Sequence, residues 1–288
     1  MSYTIKSYLH EDTSTFTHLL TDTASRECAI IDPVLDYDAK SGSTSTGFID
    51  QILSDIRDQG LKLTYVLETH AHADHLTSAA YIRAETGAKI VIGQKIKGIQ
   101  KTFAAIFNEP ACFTPNGSQF DVLLADGEEL MLGETRIRSM STPGHTPACA
   151  SYLVDDSDVF VGDTLFMPDV GTARCDFPGG DAGTLYDSVK KLLALGDDVV
   201  LHMCHDYPPD DRPVRSSVTV AEQRQDNIHV SDKHSRDDFI AMRTKRDSGL
   251  EMPRLILPSL QVNIRAGDLP EPENNGVRYL KVPLNQFS

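Results

Sequence analysis

Thr69-His70-Ala71-His72-Ala73-Asp74-His75 sets three imidazoles and one carboxylate within six positions. Side chains so closely spaced converge only if the backbone turns tightly, and the small Ala71 and Ala73 permit that turn. Imidazole and carboxylate together suit zinc, iron or manganese rather than calcium or magnesium. The run directly follows a short apolar segment, Tyr65-Val66-Leu67, which reads as a strand. A helical pattern of Leu76, Ala79, Ala80 and Tyr81 comes next and ends near Gly87, before a second strand at Lys89-Ile90-Val91-Ile92. Strand, loop, helix, strand is an α/β order, with the chemistry on loops at strand ends.

Working outward, residues 16–20 and 28–31 read as strands, the second ending at Asp32-Pro33. Residues 38–46 are polar and rich in Ser and Thr, the composition of a loop. Phe48, Ile49, Ile52, Leu53 and Ile56 then fall on one helical face, stopped by Gly60. Downstream, strands are expected at 137–141, 150–154, 159–162 and 199–201, with a helix carrying Leu185, Val189, Leu192 and Leu193. Ser235, three residues before Asp238, reads as a helix N-cap. From Pro253 the chain is Pro-rich, and the apolar run 255–257 is a candidate strand.

Three further elements end in ligand-type side chains. Thr142-Pro143-Gly144-His145-Thr146 puts a histidine at a strand-to-loop turn, Val161-Gly162-Asp163-Thr164 closes a strand with a carboxylate, and Cys204-His205-Asp206-Tyr207 brings another histidine. Each alone is ordinary turn chemistry. In this order, each at an expected strand end, they reinforce one another.

Composition limits the alternatives. With 40% hydrophobic and 24% charged residues the chain has the make-up of a globular protein, and 288 residues bury a core without disulfides. A net charge of −15 with no basic run argues against nucleic acid as partner. Five widely spaced cysteines suit a reducing compartment. No segment approaches the roughly 20 apolar residues of a membrane span, and the N-terminus lacks a signal-peptide pattern. A cytoplasmic enzyme without a membrane partner is the expectation.

H-x-H-x-D-H, then TPGH, then GD, then a last His resembles the metallo-β-lactamase superfamily. The resemblance implies an α/β fold, an αββα sandwich with its site along one edge of the two sheets. Within the superfamily, THAHADH, TPGHTPAC, GDTLF and CHDY look like the persulfide dioxygenases. The stretch from Asp169 to Gly180 resembles a bacterial subgroup close to the β-lactamase hydrolase-like proteins, and Asn263-x-Arg265-x-Gly267 extends the similarity toward the C-terminus. Residues 1–210 are expected to form the catalytic core, with 211–288 a helical and strand elaboration completing the same domain.

By position, the resemblance implies one Fe(II) per chain on His70, His145 and Asp163, a face that leaves three coordination positions open. His72, Asp74, His75 and His205 would stand around it as a second site or as outer groups. Arg174 and Tyr207 match positions that contact or support the substrate, with Arg174 suited to a bidentate grip on a carboxylate. An ion pair between Arg174 and Asp176 that orders the loop is the competing reading. The implied reaction is oxidation of glutathione persulfide by O2 and water to sulfite and glutathione; a homodimer is compatible with it. All seven superfamily ligands are present, so two Zn(II) ions also fit: His70, His72 and His145 on one, Asp74, His75 and His205 on the other, Asp163 bridging. That arrangement would make a thioester hydrolase of glyoxalase II type. His202 reads as a core or flanking residue; His10, His18, His229 and His234 lack ligand spacing. Neither Cys175 nor Cys204 is expected to carry a persulfide.

Overall fold

Side chains alternate along each strand, and that alternation decides the layers. The computed structural model describes residues 2–209 and 212–286. Its first half holds β1 (Tyr3–His10), β2 (Thr15–Asp22), β3 (Glu27–Ile31), β4 (Val34–Asp38), β5 (Ser43–Ser45), α1 (Gly47–Asp58), β6 (Lys62–Glu68), β7 (Leu76–Thr77), α2 (Ala79–Thr86), β8 (Lys89–Gly93), α3 (Ile96–Ile106) and β9 (Val122–Leu124). The second half holds β10 (Glu129–Leu132), β11 (Thr135–Ser141), β12 (Ala150–Val154), β13 (Asp158–Phe160), α4 (Ala182–Leu193), β14 (Val200–His202), β15 (Ser217–Thr219), α5 (Val220–Asp226), α6 (Arg236–Asp247) and α7 (Ile256–Asn263).

One six-stranded sheet has the order β1-β2-β3-β6-β8-β9, the other β10-β11-β12-β13-β14-β15. In the first, β3, β6, β8 and β9 run parallel to one another, so every crossover between them carries its chain over the sheet face. On β3, Cys28 and Ile30 point to a core shared with α1, α2, α3 and α7, while Ala29 and Ile31 point the other way. There they meet Leu20, Leu67 and Val91 of the same sheet and Ile137, Tyr152, Val154 and Phe160 of the second. The second sheet turns Leu153, Val159 and Leu201 outward onto Leu185, Val189 and Leu192 of α4 and Phe239 of α6. The result is helix, sheet, sheet, helix, the expected αββα sandwich.

Several local expectations change. Residues 255–257 are not a strand; they open α7. Pro258 is compatible with helix there because first-turn N–H groups have no intrahelical partner to lose. The polar stretch 38–46 includes the end of β4 and all of β5, which pair antiparallel. Leu76 belongs to β7 rather than to the helix that follows. β1 and α3 have no counterpart in the sequence reading. Ser235 does cap α6, accepting from Asp238 N at 3.2 Å. Asp210 and Asp211, at the expected junction between core and elaboration, lie outside the described residues. Among the described residues, no helix is long and apolar enough to cross a membrane.

Candidate metal centre

Strand ends from both sheets deliver the site. β6 feeds His70, His72, Asp74 and His75; the β11–β12 turn brings His145; the segment after β13 brings Asp163, and the one after β14 brings His205. Two glycines make this approach sterically feasible. Gly144 has φ +140°, and a Cβ on it would stand 2.3 Å from Leu185 Cα. Gly162 has φ +54°, and its Cβ would stand 2.6 Å from Thr69 Oγ1, so a side chain there would push Asp163 off the His70 loop.

His70, His145 and Asp163 place one ligand atom each within 4.8 Å of one another. Asp163 Oδ2 lies 3.7 Å from His70 Nε2 and 3.6 Å from His145 Nε2. Two donors each roughly 2.1 Å from one ion stand about 3.0–3.4 Å apart, so a small closure would seat a cation. A second set, His72, Asp74, His75 and His205, meets the same limit. His205 Nε2 bridges the two, 3.2 Å from Asp74 Oδ2 and 3.3 Å from Asp163 Oδ1.

The ring tautomers are set from outside. His145 Nδ1 donates to Arg174 O at 2.8 Å and His205 Nδ1 donates to Ser14 O at 3.1 Å, because a carbonyl only accepts. Thr69 Oγ1 donates to Asp32 Oδ2 at 2.9 Å and therefore accepts from His70 Nδ1 at 3.0 Å. Nε2 of all three rings is left facing the centre. Against the effect of burial, Asp74 and Asp163 raise the pKa of His205, so its Nε2 holds a proton that a metal ion would displace. His70 Nε2, both His72 nitrogens, Asp74 Oδ2, His75 Nε2, Asp163 Oδ1 and His205 Nε2 are buried without a hydrogen bond of good geometry. Buried polar atoms left unpaired are costly, and a cation at their focus removes that cost. The donor set therefore fits a transition metal.

Electrostatics agree with an anionic cradle. Against the effect of burial, His205, His70 and His145 hold the Asp163 carboxyl well below the usual range. Burial and the neighbouring Asp32 raise the pKa of Glu68. His72 sits with Nε2 3.0 Å from Asp32 Oδ1 and 3.8 Å from Glu68 Oε2; burial disfavours its charge, but the two carboxylates outweigh burial and raise its pKa.

A cavity of about 190 Å³ opens above the centre, lined by Asp74, His145 and Asp163 on its floor and Phe166, Arg174, Phe177, Tyr207 and Pro253 on its walls. Arg174 points into it already engaged: Nε and Nη2 each meet Asp176 at 2.6 Å, Nη1 donates to Glu251 O at 2.6 Å, and the guanidinium lies 5.2 Å from the Phe177 ring centroid. Tyr207 stacks on His205 at 5.6 Å between centroids. A larger cavity of about 570 Å³ lies elsewhere, between Tyr81, Phe113, Arg265 and Arg278, away from the converging ligands.

Thus every ligand position named from the sequence reaches the centre, and Arg174 and Tyr207 line its mouth. His202 is buried against Asp158 at 2.7 Å, as a core residue. Burial raises the pKa of the Cys175 and Cys204 thiols, which keeps them protonated at neutral pH and unsuited to carry sulfur. Two residues that the sequence reading named without a role at the site support it. Asp32 braces both His70, through Thr69, and His72; its φ of +49° at the end of a strand is the kind of strain that marks such a position. Asn263 donates to His72 O and His75 O at 2.8 Å each and accepts from Thr77 N at 2.9 Å, gripping the metal loop from α7.

The sequence pattern of the metallo-beta-lactamase superfamily matches residues 12–205. A β-lactamase hydrolase-like protein of Xylella fastidiosa is 46% identical over 281 residues, 98% of this chain and 64% of that one. Glyoxylase B2 of Dictyostelium discoideum is 50% identical over 268 residues, 93% and 92% of the two chains. The human mitochondrial persulfide dioxygenase ETHE1 is 33% identical over 255 residues, 88% and 84%. Among solved structures, ETHE1 from Myxococcus xanthus superposes with a TM-score of 0.73 at 30% identity, covering 92% of this chain and all of that one.

Proposed function

The chain belongs to the metallo-beta-lactamase superfamily, and from that premise we propose that it is an iron-dependent persulfide dioxygenase. The reaction joins glutathione persulfide, O2 and water to give glutathione and sulfite, with two protons released. The observation that carries this reading is the clustering of His70, His145 and Asp163, two imidazoles with lone pairs facing inward and one carboxylate. Fe(II) held there would supply open coordination positions for sulfur and oxygen chemistry. Likeness to the human persulfide dioxygenase supports the same reading.

The chain's own residues do the rest. Phe166, Phe177, Tyr207 and Pro253 form apolar walls that keep water from the reacting sulfur. Arg174 offers a planar donor pair to a substrate carboxylate that displaces Asp176 at the cavity mouth. His72, Asp74, His75 and His205 hold the floor, Asp74 acting on Asp163 through His205. Five free cysteines suit a reducing cytoplasm. In this reading residues 211–288 complete the same domain as residues 1–210, since β15 adds an edge strand to the second sheet.

A second reading has its own support. Asp74, His75 and His205 form the other half of a dinuclear site, and a relative with 50% identity is named glyoxylase B2. Protein purified without oxygen decides between them. About one iron per chain, the stoichiometry of a facial triad, with O2 consumption on glutathione persulfide is expected. Two zinc ions per chain with turnover of S-lactoylglutathione would replace the dioxygenase by a thioester hydrolase.

A further inference from the structure

The Nδ1–H of His145 ends on a carbonyl, Arg174 O, 2.8 Å away. That carbonyl shares one peptide unit with Cys175 N–H, which donates to Asp247 Oδ2 at 2.9 Å. A peptide unit is rigid and planar, so a partner gripping its N–H end also aims its carbonyl end. Asp247 is itself clamped by Arg243, four residues earlier on α6: Nε donates to Oδ1 at 2.8 Å, and Nη2 forms an ion pair with the same oxygen at 2.5 Å. Arg243 Nη1 then donates to Thr172 O at 3.1 Å, pinning the loop a second time. Arg243 and Asp247 are 2% and 6% exposed, so solvent does not screen the pair. No requirement of helix α6 explains why a charged pair is buried against this loop; both of its free hydrogen-bonding ends are spent on the segment that holds His145.

We propose that Asp247, held by Arg243, is a positioning residue for the metal centre, acting through the Arg174–Cys175 peptide as the outer carboxylate of His145. Histidine ligands commonly donate their far N–H to a carboxylate or carbonyl that fixes the ring and raises its basicity. Here a carbonyl does so, and a carboxylate behind it polarises the peptide in the same direction, since hydrogen bonds in a chain strengthen one another. The elaboration beyond residue 211 thereby reaches a first ligand 102 positions earlier without touching it. This inference rests on His145 being a metal ligand.

The test measures metal affinity of the full-length protein, loaded with Co(II), by chelator competition and by its ligand-field spectrum. Removing one partner would leave a buried charge, so the principal variant replaces both, Arg243→Met with Asp247→Leu, a change that buried pairs often tolerate. It strands Cys175 N–H and Thr172 O, so a lower melting temperature of the metal-free protein is expected. In the protein that remains folded, Co(II) binding is expected to weaken about 10- to 100-fold, the range for outer-shell changes, with displaced ligand-field bands. Asp247→Asn, which keeps an acceptor for Cys175 N–H and loses the charge, is expected to fall between. Wild-type affinity and spectrum in both variants overturn the proposal. So does an affinity loss that only tracks a fall in melting temperature with the spectrum unchanged. His145→Ala separates the premise: if that variant binds Co(II) like wild type, His145 is no ligand and the reading of the site fails instead.

Discussion

Arg174 faces two demands, because the only guanidinium in the cavity wall among the described residues is already satisfied by Asp176 and Glu251 O. A glutathione carboxylate would have to displace Asp176 to use it, and Asp176 is only partly buried, so the exchange is open to solvent. Arg174→Ala is expected to lower kcat/KM for glutathione persulfide about 30- to 1000-fold, as loss of a roughly 2–4 kcal/mol charged contact would. Asp176→Ala tells the roles apart. If substrate takes over the guanidinium, that variant keeps kcat/KM or improves it; if both variants lose activity equally, the pair only orders the loop. A second expectation concerns metal. Asp163→Ala removes the single carboxylate of the triad and should abolish metal and activity together. Asp74→Ala, which touches Asp163 only through His205, should keep its iron while activity falls about 10–100-fold; equal metal loss in the two variants means an occupied second site. The clustering of these side chains was legible because their order is carried by short motifs at strand ends. Asp32 was not, since its partner Thr69 lies 37 positions away and only the folded backbone brings them together. The Arg174–Asp176 pair was legible as an alternative, and the structure forms it.

Elements with a clean period were readable: α1 and α4 each bury one stripe, and β3, β6 and β8 are short apolar runs bounded by turns. α3 carries the same stripe in Ile96, Ile99 and Phe103, but Gly98 near its start weakens the helical signal. β1 hides because Ser7 interrupts the apolar side made by Tyr3, Ile5 and Leu9 on an edge strand. α7 was misread because three apolar residues followed by Pro258 imitate a short strand, and its helical character depends on packing against β7. That packing has a consequence. Asn263, at the last turn of α7, is buried and makes three hydrogen bonds to the backbone around the metal loop. Asn263→Ala strands a buried donor and two buried carbonyls and should cost roughly 3–5 kcal/mol, given about 1–3 kcal/mol for each unsatisfied group without full additivity. Asn263→Asp keeps the acceptor for Thr77 N but sets a carboxylate against two carbonyls, so it should cost at least as much. Urea unfolding of the metal-free variants checks both; an Asp variant as stable as wild type would show that the amide is not the grip.

At the scale of the whole molecule, neither sheet owns the centre: one gives the His70–His75 loop and the other His145, Asp163 and His205. The sheets must therefore hold a fixed spacing, and a polar rivet crosses between them near the site. His18, on β2 of the first sheet, donates from Nε2 to Met203 O beyond β14 of the second at 3.0 Å, while Ser7 Oγ donates to its Nδ1 at 2.9 Å. Both ring nitrogens are used by the neutral form, so a proton added to Nδ1 would break one bond and charge a group walled in by Phe16, Phe160 and His202. Burial first, and the neighbouring His202 second, hold its pKa down at about 3, against 6.5 when exposed. Above pH 6.5 both folded and unfolded chains keep His18 neutral, and it contributes no pH dependence. As pH falls from 6.5 toward 3 the unfolded chain binds a proton that the folded chain refuses, so stability falls with pH and levels off below 3. Between pH 7 and pH 5 the loss from this one residue is roughly 2 kcal/mol, at 1.36 kcal/mol for each pH unit below 6.5. His72, with its raised pKa, acts in the opposite sense in the metal-free protein, so the total slope does not isolate His18. The difference from His18→Gln does, because glutamine can still donate to Met203 O and cannot titrate. Urea unfolding of metal-free wild type and variant at pH 7 and pH 5 should show the wild type losing about 2 kcal/mol more than the variant over that interval. Parallel losses would mean that His18 takes up its proton in the folded chain and that the rivet between the sheets yields to acid before the fold does.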